Sequence, residues 1–263
     1  MPVILDEIVA ATRLRVEERK RAADCQKLEQ QAREHRPRGF RRALQRPAGD
    51  GIAVIAELKR ASPSKGLIRP QLDVRQVALE YAAAGAAALS ILTEPQYFLG
   101  SLENLFTVSS AVALPCLEKD FVVDEFQLLE ARAHGADAVL LLASVLDDSS
   151  LACLNRQARS LQLDVLCEAH DETEVQRALA AGCDLIGVNS RDLRTFAVDL
   201  ETAVRLGPLI PPSAVKVAES GIHTREDVRR LRAAGYAAFL VGESLMRADR
   251  PGEALAELMR ETE

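Results

Sequence analysis

Charges of both signs stand where a buried strand ends. The stretch Val54–Gly66, VIAELKRASPSKG, begins apolar and then places Glu57 and Lys59 two residues apart, before a Ser/Pro/Gly turn. Side chains alternate along a strand, so Glu57 and Lys59 share a face and Leu58 takes the other. A carboxylate and an ammonium on one face of a buried strand need each other or a substrate. Comparable endings recur downstream: Thr93-Glu94, Glu118-Lys119-Asp120-Phe121, Glu168, Asn189-Ser190-Arg191-Asp192, Glu219-Ser220-Gly221 and Gly242-Glu243-Ser244. Converging charges of both signs shift one another's pKa, which is how proton-transfer sites are built. A lysine that is desolvated or beside other cations is expected to act as an acid near neutral pH, and a glutamate against apolar walls as a base or acid. Ser220-Gly221 and Gly242 expose backbone N–H groups with little side chain in the way, as a phosphate cradle requires. Phe98, Phe121 and Leu193 are apolar where loops are usually polar, which points to a flat, apolar portion of a ligand.

The elements that must position these residues follow from a repeat. Eight times a short apolar run, a polar loop and an amphipathic helix succeed one another. The runs are Ile52–Leu58, Ala87–Leu92, Leu114–Glu118, Ala138–Leu142, Asp164–Cys167, Leu185–Val188, Val215–Ala218 and Ala238–Val241. Gly85, Gly135, Gly182 and Gly235 close four of the helices in like phrases (AAAGAAAL, ARAHGADAV, LAAGCDLI, RAAGYAAF), the glycine serving a left-handed turn. Strands alternating with helices predict a parallel sheet covered by helices, and eight units in about 210 residues predict a closed α/β barrel, the (β/α)8 or TIM barrel. G-x-G-x-x-G, the mark of an open doubly wound sheet, is absent. In such a barrel the strand ends form one mouth. The first strand neighbours the eighth, so Glu57 and Lys59 lie beside the phosphate side. Ahead of the barrel, residues 3–34 read as one helix and 36–50 as a connector with a short helix near Phe40–Leu44. The expected division is an N-terminal helical extension, 1–48, and a catalytic barrel, 49–263.

Composition excludes several classes. The 263 residues carry a net charge of −6, which argues against non-specific nucleic-acid binding. No apolar stretch is long enough to span a membrane, and the charged N-terminal segment does not read as a signal peptide. Five cysteines without a C-x-x-C pair read as reduced thiols in a cytoplasmic protein. Four histidines without ligand spacing give no metal site.

The blocks AELKRASPSKG (Ala56–Gly66), LTEPQYFLGS (Leu92–Ser101), EKDFVVDEFQ (Glu118–Gln127), GVNSRDLRTFAVDL (Gly187–Leu200), AESGI (Ala218–Ile222) and FLVGESLMR (Phe239–Arg247) resemble, in order and spacing, those of the indole-3-glycerol-phosphate synthase family of tryptophan biosynthesis. The resemblance spans residues 52–250 and the helical extension. It implies decarboxylating ring closure and dehydration of 1-(2-carboxyphenylamino)-1-deoxyribulose 5-phosphate, without metal or organic cofactor, in a monomer or weak homodimer. It also implies roles. Lys119 is the acid for ring closure, Lys59 holds an anionic group and assists dehydration, and Glu168 is the base or charge stabiliser. Glu57 sets the protonation and position of both lysines, Glu219 hydrogen-bonds among them, and Asn189 and Arg191 orient the substrate. Ser62, Ser220, Gly221, Gly242 and Glu243 line the phosphate, while Phe98, Phe121, Leu140 and Leu193 enclose the ring. A serine at position 243 could reach the phosphate; a glutamate is expected to turn its side chain away. Glu118 is expected on the outer face, without a catalytic part. Two alternatives are a sister phosphate-binding barrel such as phosphoribosylanthranilate isomerase, which would not need the first block together with Lys119, and a non-catalytic barrel subunit.

Overall fold

Alternation along eight strands decides which side chains enter the barrel. The structure, a computed structural model, describes residues 4–45 and 51–260. In chain order the strands are β1 (Ala53–Leu58), the two-residue pair β2 (Ala61–Ser62) and β3 (Gly66–Leu67), β4 (Ala88–Leu92), β5 (Cys116–Lys119), β6 (Ala138–Leu142), β7 (Asp164–Ala169), β8 (Leu185–Asn189), β9 (Val215–Glu219) and β10 (Ala238–Val241). All but β2 and β3 form one closed parallel barrel in which β10 pairs back onto β1. Each of the eight expected apolar runs is a barrel strand. The β2–β3 hairpin, Ser62 opposite Gly66, folds the loop after β1 and was not expected.

The helices are α1 (Ile4–Ala22), α2 (Cys25–Glu34), α3 (Phe40–Gln45), α4 (Val74–Ala83), α5 (Leu102–Ala111), α6 (Glu125–Ala133), α7 (Asp148–Ser160), α8 (Glu172–Ala180), α9 (Glu201–Leu206), α10 (Arg225–Ala233), α11 (Glu243–Arg247) and α12 (Pro251–Met259). Side chains of Asp73, Ser101, Asp124, Asp147, Asp171 and Thr224 cap α4, α5, α6, α7, α8 and α10 by accepting from backbone N–H groups of the first turn, each worth about 1 kcal/mol. The four repeated glycines take positive φ, from 79° to 91°. The single N-terminal helix expected over 3–34 is two. Asp24 leaves the helical conformation and accepts from Lys27 N, starting α2. The proposed boundary at 48/49 falls among residues 46–50, outside the described residues.

Two cores result. Residues facing outward on the strands, among them Val54, Ala56 and Leu58, pack under the helices. Residues facing inward, including Ile55, Leu117, Leu140, Leu166, Leu185, Val217 and Leu240, fill the barrel. Phe40 and Leu44 of α3 join this inner core and plug the end opposite the strand carboxyl termini. Arg38 secures the plug through Asp137, with Nη2 2.6 Å and Nε 2.9 Å from Oδ2. Phe40 is fully buried, so Phe40→Ala should cost about 3–5 kcal/mol of stability. Chemical unfolding measures this loss, and kcat at low temperature should stay near wild type.

Candidate active site

The chemistry-bearing side chains continue the inner rows. Two residues beyond an inward core position comes an inward polar one: Ile55 is followed by Glu57, Leu117 by Lys119, Leu166 by Glu168 and Val217 by Glu219. On β8, Leu185 is followed by Gly187 and then Asn189. Leu240 is followed by Gly242. Of these, Glu57, Lys119, Glu168, Asn189, Glu219 and Gly242 open into one cavity of about 1160 Å³, the open solvent of its mouth included. Every site residue named from the sequence lines it: Glu57, Lys59, Lys119, Glu168, Asn189, Arg191 and Glu219 at the floor and wall, and Ser62, Phe98, Phe121, Leu140, Leu193, Ser220, Gly221, Gly242 and Glu243 around them.

At the centre Lys119 Nζ stands 2.9 Å from Glu168 Oε2 and 3.6 Å from Glu219 Oε2. Burial works against the ammonium, but Glu168, Glu219 and Glu57 outweigh it and raise the Lys119 pKa above the ordinary lysine value. The expectation of a lysine weakened by cations or desolvation is thereby corrected: its near neighbours are carboxylates, and it is a fully loaded acid. Burial also opposes charge on Glu168, yet Lys119, His170 and the Asn189 side chain, which donates from Nδ2 at 2.9 Å, hold its carboxyl below the usual range. Glu219 goes the other way. Burial, together with Glu168 and Glu57, pushes it up to about 8 despite Lys119. Its Oε1 has no hydrogen-bond partner among the described residues.

Glycine makes room for these carboxylates. A Cβ on Gly187 would lie 2.1 Å from Glu219 Oε1, and one on Gly242 would lie 2.5 Å from Glu57 Oε1. Glu57 accepts from Lys59 Nζ at 2.6 Å and from Ser90 Oγ at 3.4 Å. Gly242 is therefore needed by the strand-1 carboxylate as well as by any anion above it. Ser220 and Gly221 both take positive φ, 65° and 76°. For Ser220 this conformation is uncommon, and a functional turn is where such strain is kept.

The apolar side is built by buried acids. Phe98 and Phe121 lie 6.1 Å apart, centroid to centroid. Glu94 accepts from Tyr97 N at 2.6 Å and Phe98 N at 3.1 Å, and is itself held by Arg15 of α1 at 2.7 Å. Asp120 accepts from Phe121 N at 2.7 Å and Thr93 Oγ1 at 2.9 Å. Glu118 is on the outer face, as expected, but buried there, where desolvation, Asp120 and Glu130 push its carboxyl well up. Leu5 and Ile8 of α1 also line the cavity. They were missed because nothing in the helix marks which of its apolar residues looks into a distant barrel. Pro63, Ser64, Phe196, Ile222 and His223 complete the rim.

The Glu243 side chain reaches along the mouth. It meets Arg191 Nη2 at 3.1 Å, Arg247 Nε at 3.3 Å and Lys65 Nζ at 3.4 Å. Burial opposes its charge, and these three cations hold its carboxyl below the ordinary value. Arg191 is thereby stretched across the mouth, its backbone N–H donating to Asn189 Oδ1 at 3.0 Å.

Glu219 gives a pH dependence. Its charged form would add a negative charge beside any anionic ligand in the cavity, so for such a ligand kcat/KM should fall as pH rises through about 8. Glu219→Gln should flatten that limb, and a rate profile from pH 6 to 10 checks it.

The molecule is, by class, a (β/α)8 barrel, and its strand ends gather two lysines and three carboxylates, a set suited to acid–base chemistry. The fold is shared widely: a protein titled KGPDC from Streptococcus mutans superposes with a TM-score of 0.61 at 12% identity, covering 79% of this chain and 95% of that one. Thiamine phosphate pyrophosphorylase from Pyrococcus furiosus gives 0.58 at 18%, covering 80% and 94%. These likenesses speak to fold alone. The family model described as indole-3-glycerol phosphate synthase matches residues 5–258. Proteins of that name are similar throughout: that of Koribacter versatilis is 55% identical over 98% of this chain and 100% of its own. The Burkholderia ambifaria protein is 46% identical over 98% and 99%, and the Carboxydothermus hydrogenoformans protein 45% over 98% and 100%. The chain belongs to the indole-3-glycerol phosphate synthase family, carboxy-lyases of tryptophan biosynthesis. Neither sister barrel nor non-catalytic subunit is favoured.

Proposed function

We propose that this chain closes the indole ring of 1-(2-carboxyphenylamino)-1-deoxyribulose 5-phosphate, giving indole-3-glycerol phosphate, carbon dioxide and water, with the following division of labour. The ring carbon bearing the carboxylate attacks the ribulose carbonyl. Lys119 gives its proton to the forming alkoxide, which is a stronger base than an amine and takes it even from a lysine of raised pKa. The carboxylate leaves as carbon dioxide and its bonding electrons return to the ring. The hydroxyl then departs as water, with Lys59 assisting, while Glu168 takes a proton from the CH2 carbon next to nitrogen. The oxygen gains two protons and the carbon loses one, so each turnover consumes one proton.

Binding divides in the same way. Phe98, Phe121, Leu140 and Leu193 receive the aromatic ring. Backbone N–H groups at Ser220, Gly221, Gly242 and Glu243, with Ser62, receive the phosphate. Asn189 and Arg191 orient the substrate, Arg191 exchanging Glu243 for its carboxylate. Glu57 holds Lys59 in place. Residues 1–48 serve as a helical extension of the barrel at 49–263, since α1 lines the mouth and α3 plugs the floor. Five free cysteines support a cytoplasmic setting. Among the described residues no helix is long and apolar enough to cross a membrane. We read the enzyme as a monomer or weak homodimer without nucleic-acid or membrane partners.

The observation that carries this reading is the Lys119–Glu168 pair, 2.9 Å apart, at the floor of a cavity with aromatic residues on one side and a glycine cradle on the other. Incubating the purified chain with the substrate should yield indole-3-glycerol phosphate and carbon dioxide in equal amounts, with one proton taken up per product. Folded protein that forms no product would overturn the reading.

A further inference from the structure

His170 directly follows β7 and stands behind Glu168, outside the cavity lining. Its Nε2 lies 3.3 Å from Glu168 Oε1, and its Nδ1 lies 3.0 Å from Glu174 Oε2. The same Glu174 oxygen accepts from His170 N at 2.8 Å. Glu174 is fixed in turn, because its own N–H donates to Asp171, the N-cap of α8, at 2.8 Å. Backbone and ring are thus both tied to the first turn of α8, and the ring has little freedom to turn away from Glu168.

We propose that His170 is a positioning residue for Glu168, pinning Oε1 so that Oε2 is presented to Lys119 and the substrate. This rests on Glu168 acting as the base. Oε1 then accepts from Asn189 Nδ2 at 2.9 Å and has the His170 ring behind it at ion-pair distance, 3.3 Å, without a hydrogen bond, while among the described residues Oε2 has Lys119 alone within ion-pair distance. The oxygen facing the cavity is therefore the one that Lys119 can release when it gives up its proton. At that moment Glu168 loses its cationic neighbour beside Glu219, and a carboxyl left among carboxylates takes up a proton. A fixed imidazolium on the other side keeps Glu168 a base through that step. The charged groups facing His170 are Glu168 from β7 and Glu174 from α8, with Lys119 and Glu219 beyond Glu168. Burial opposes the imidazolium, but the two glutamates outweigh it and raise the His170 pKa to about 10. The ring is accordingly cationic over the working pH range.

His170→Gln keeps a polar side chain but removes the charge. It should lower kcat about tenfold with KM within about twofold, and move the acid limb of kcat up by about one pH unit. The sign follows from the charge: Glu168 must be ionised, and without a neighbouring cation it protonates at higher pH. Glu174→Gln, which loosens the ring without touching Glu168, should move the limb the same way by less. A merely structural role would lower the melting temperature and leave the limb in place. An acid limb that coincides with wild type in folded His170→Gln would overturn the proposal. If that variant does not fold, an unmoved limb in Glu174→Gln would overturn it instead. Glu168→Gln separates the two levels: wild-type turnover in it would sink the assignment of the base itself, whereas a dead Glu168→Gln beside an unaltered His170→Gln would sink only the role of His170.

Discussion

Lys119→Ala should lower kcat by at least about 10²-fold, the scale for losing a general acid, while the substrate still binds. Ring closure builds charge on the carbonyl oxygen, and Lys119 is the cation at the centre of the floor, with Glu168 and Glu219 on either side of it. Lys59 should not replace it, because its ammonium is engaged by Glu57 at 2.6 Å on the side proposed for the phosphate. Binding should survive because the contacts proposed for ring and phosphate come from other residues. The variant leaves two buried carboxylates without their ammonium. A buried carboxyl in that position takes up a proton rather than remain charged, so the fold is retained with an altered charge state. Single-turnover kinetics and ligand titration on the same preparation separate the two effects. Equal rates in variant and wild type would refute the assignment.

Glu168→Gln is the second large effect, expected at about 10²–10⁴-fold in kcat. The amide keeps the shape but offers one acceptor oxygen to the two donors Asn189 Nδ2 and Lys119 Nζ, and it cannot accept the proton released during dehydration. The block falls after carbon dioxide has left. A burst of carbon dioxide without matching indole product is therefore expected, and quenched-flow analysis would detect it. Carbon dioxide and product that rise together at a slowed rate would instead put Glu168 at the earlier step. The wild-type acid limb follows from the same group. Held down by Lys119, His170 and Asn189 against the cost of burial, Glu168 stays ionised far into acid, so this limb lies below the ordinary carboxylate range.

The barrel and much of its mouth were legible because two periodicities are printed in the chain. Alternation sets Glu57, Lys119, Glu168 and Glu219 on the inner rows, and the helix–glycine–strand repeat counts the strands. Which partner each charge takes was not legible. Lys119 on β5 pairs with Glu168 on β7, skipping β6, and that reach depends on the width of the barrel rather than on spacing in the chain. The upward shift of Lys119 has the same origin, since it requires three carboxylates from three strands. Gly187 reads as an ordinary strand residue until Glu219 Oε1 is seen filling the space a Cβ would need. His170 was set aside with the other histidines for lack of metal-ligand spacing, although its place two residues after Glu168 is visible once Glu174 is seen to hold it. The partners of Glu243 are equally hidden in the chain, because the cations that gather it come from the loops after β1 and β8 and from α11 itself.

The division of labour between the two lysines is the central claim, and a structure with a bound, unreactive substrate analogue tests it directly. With the ribulose carbonyl replaced by an alcohol, the oxygen should lie within about 3 Å of Lys119 Nζ, with the phosphate against Ser220, Gly221 and Gly242 and the aromatic ring between Phe98 and Phe121. An oxygen bound instead to Lys59, with Lys119 still closed on Glu168, would contradict the account.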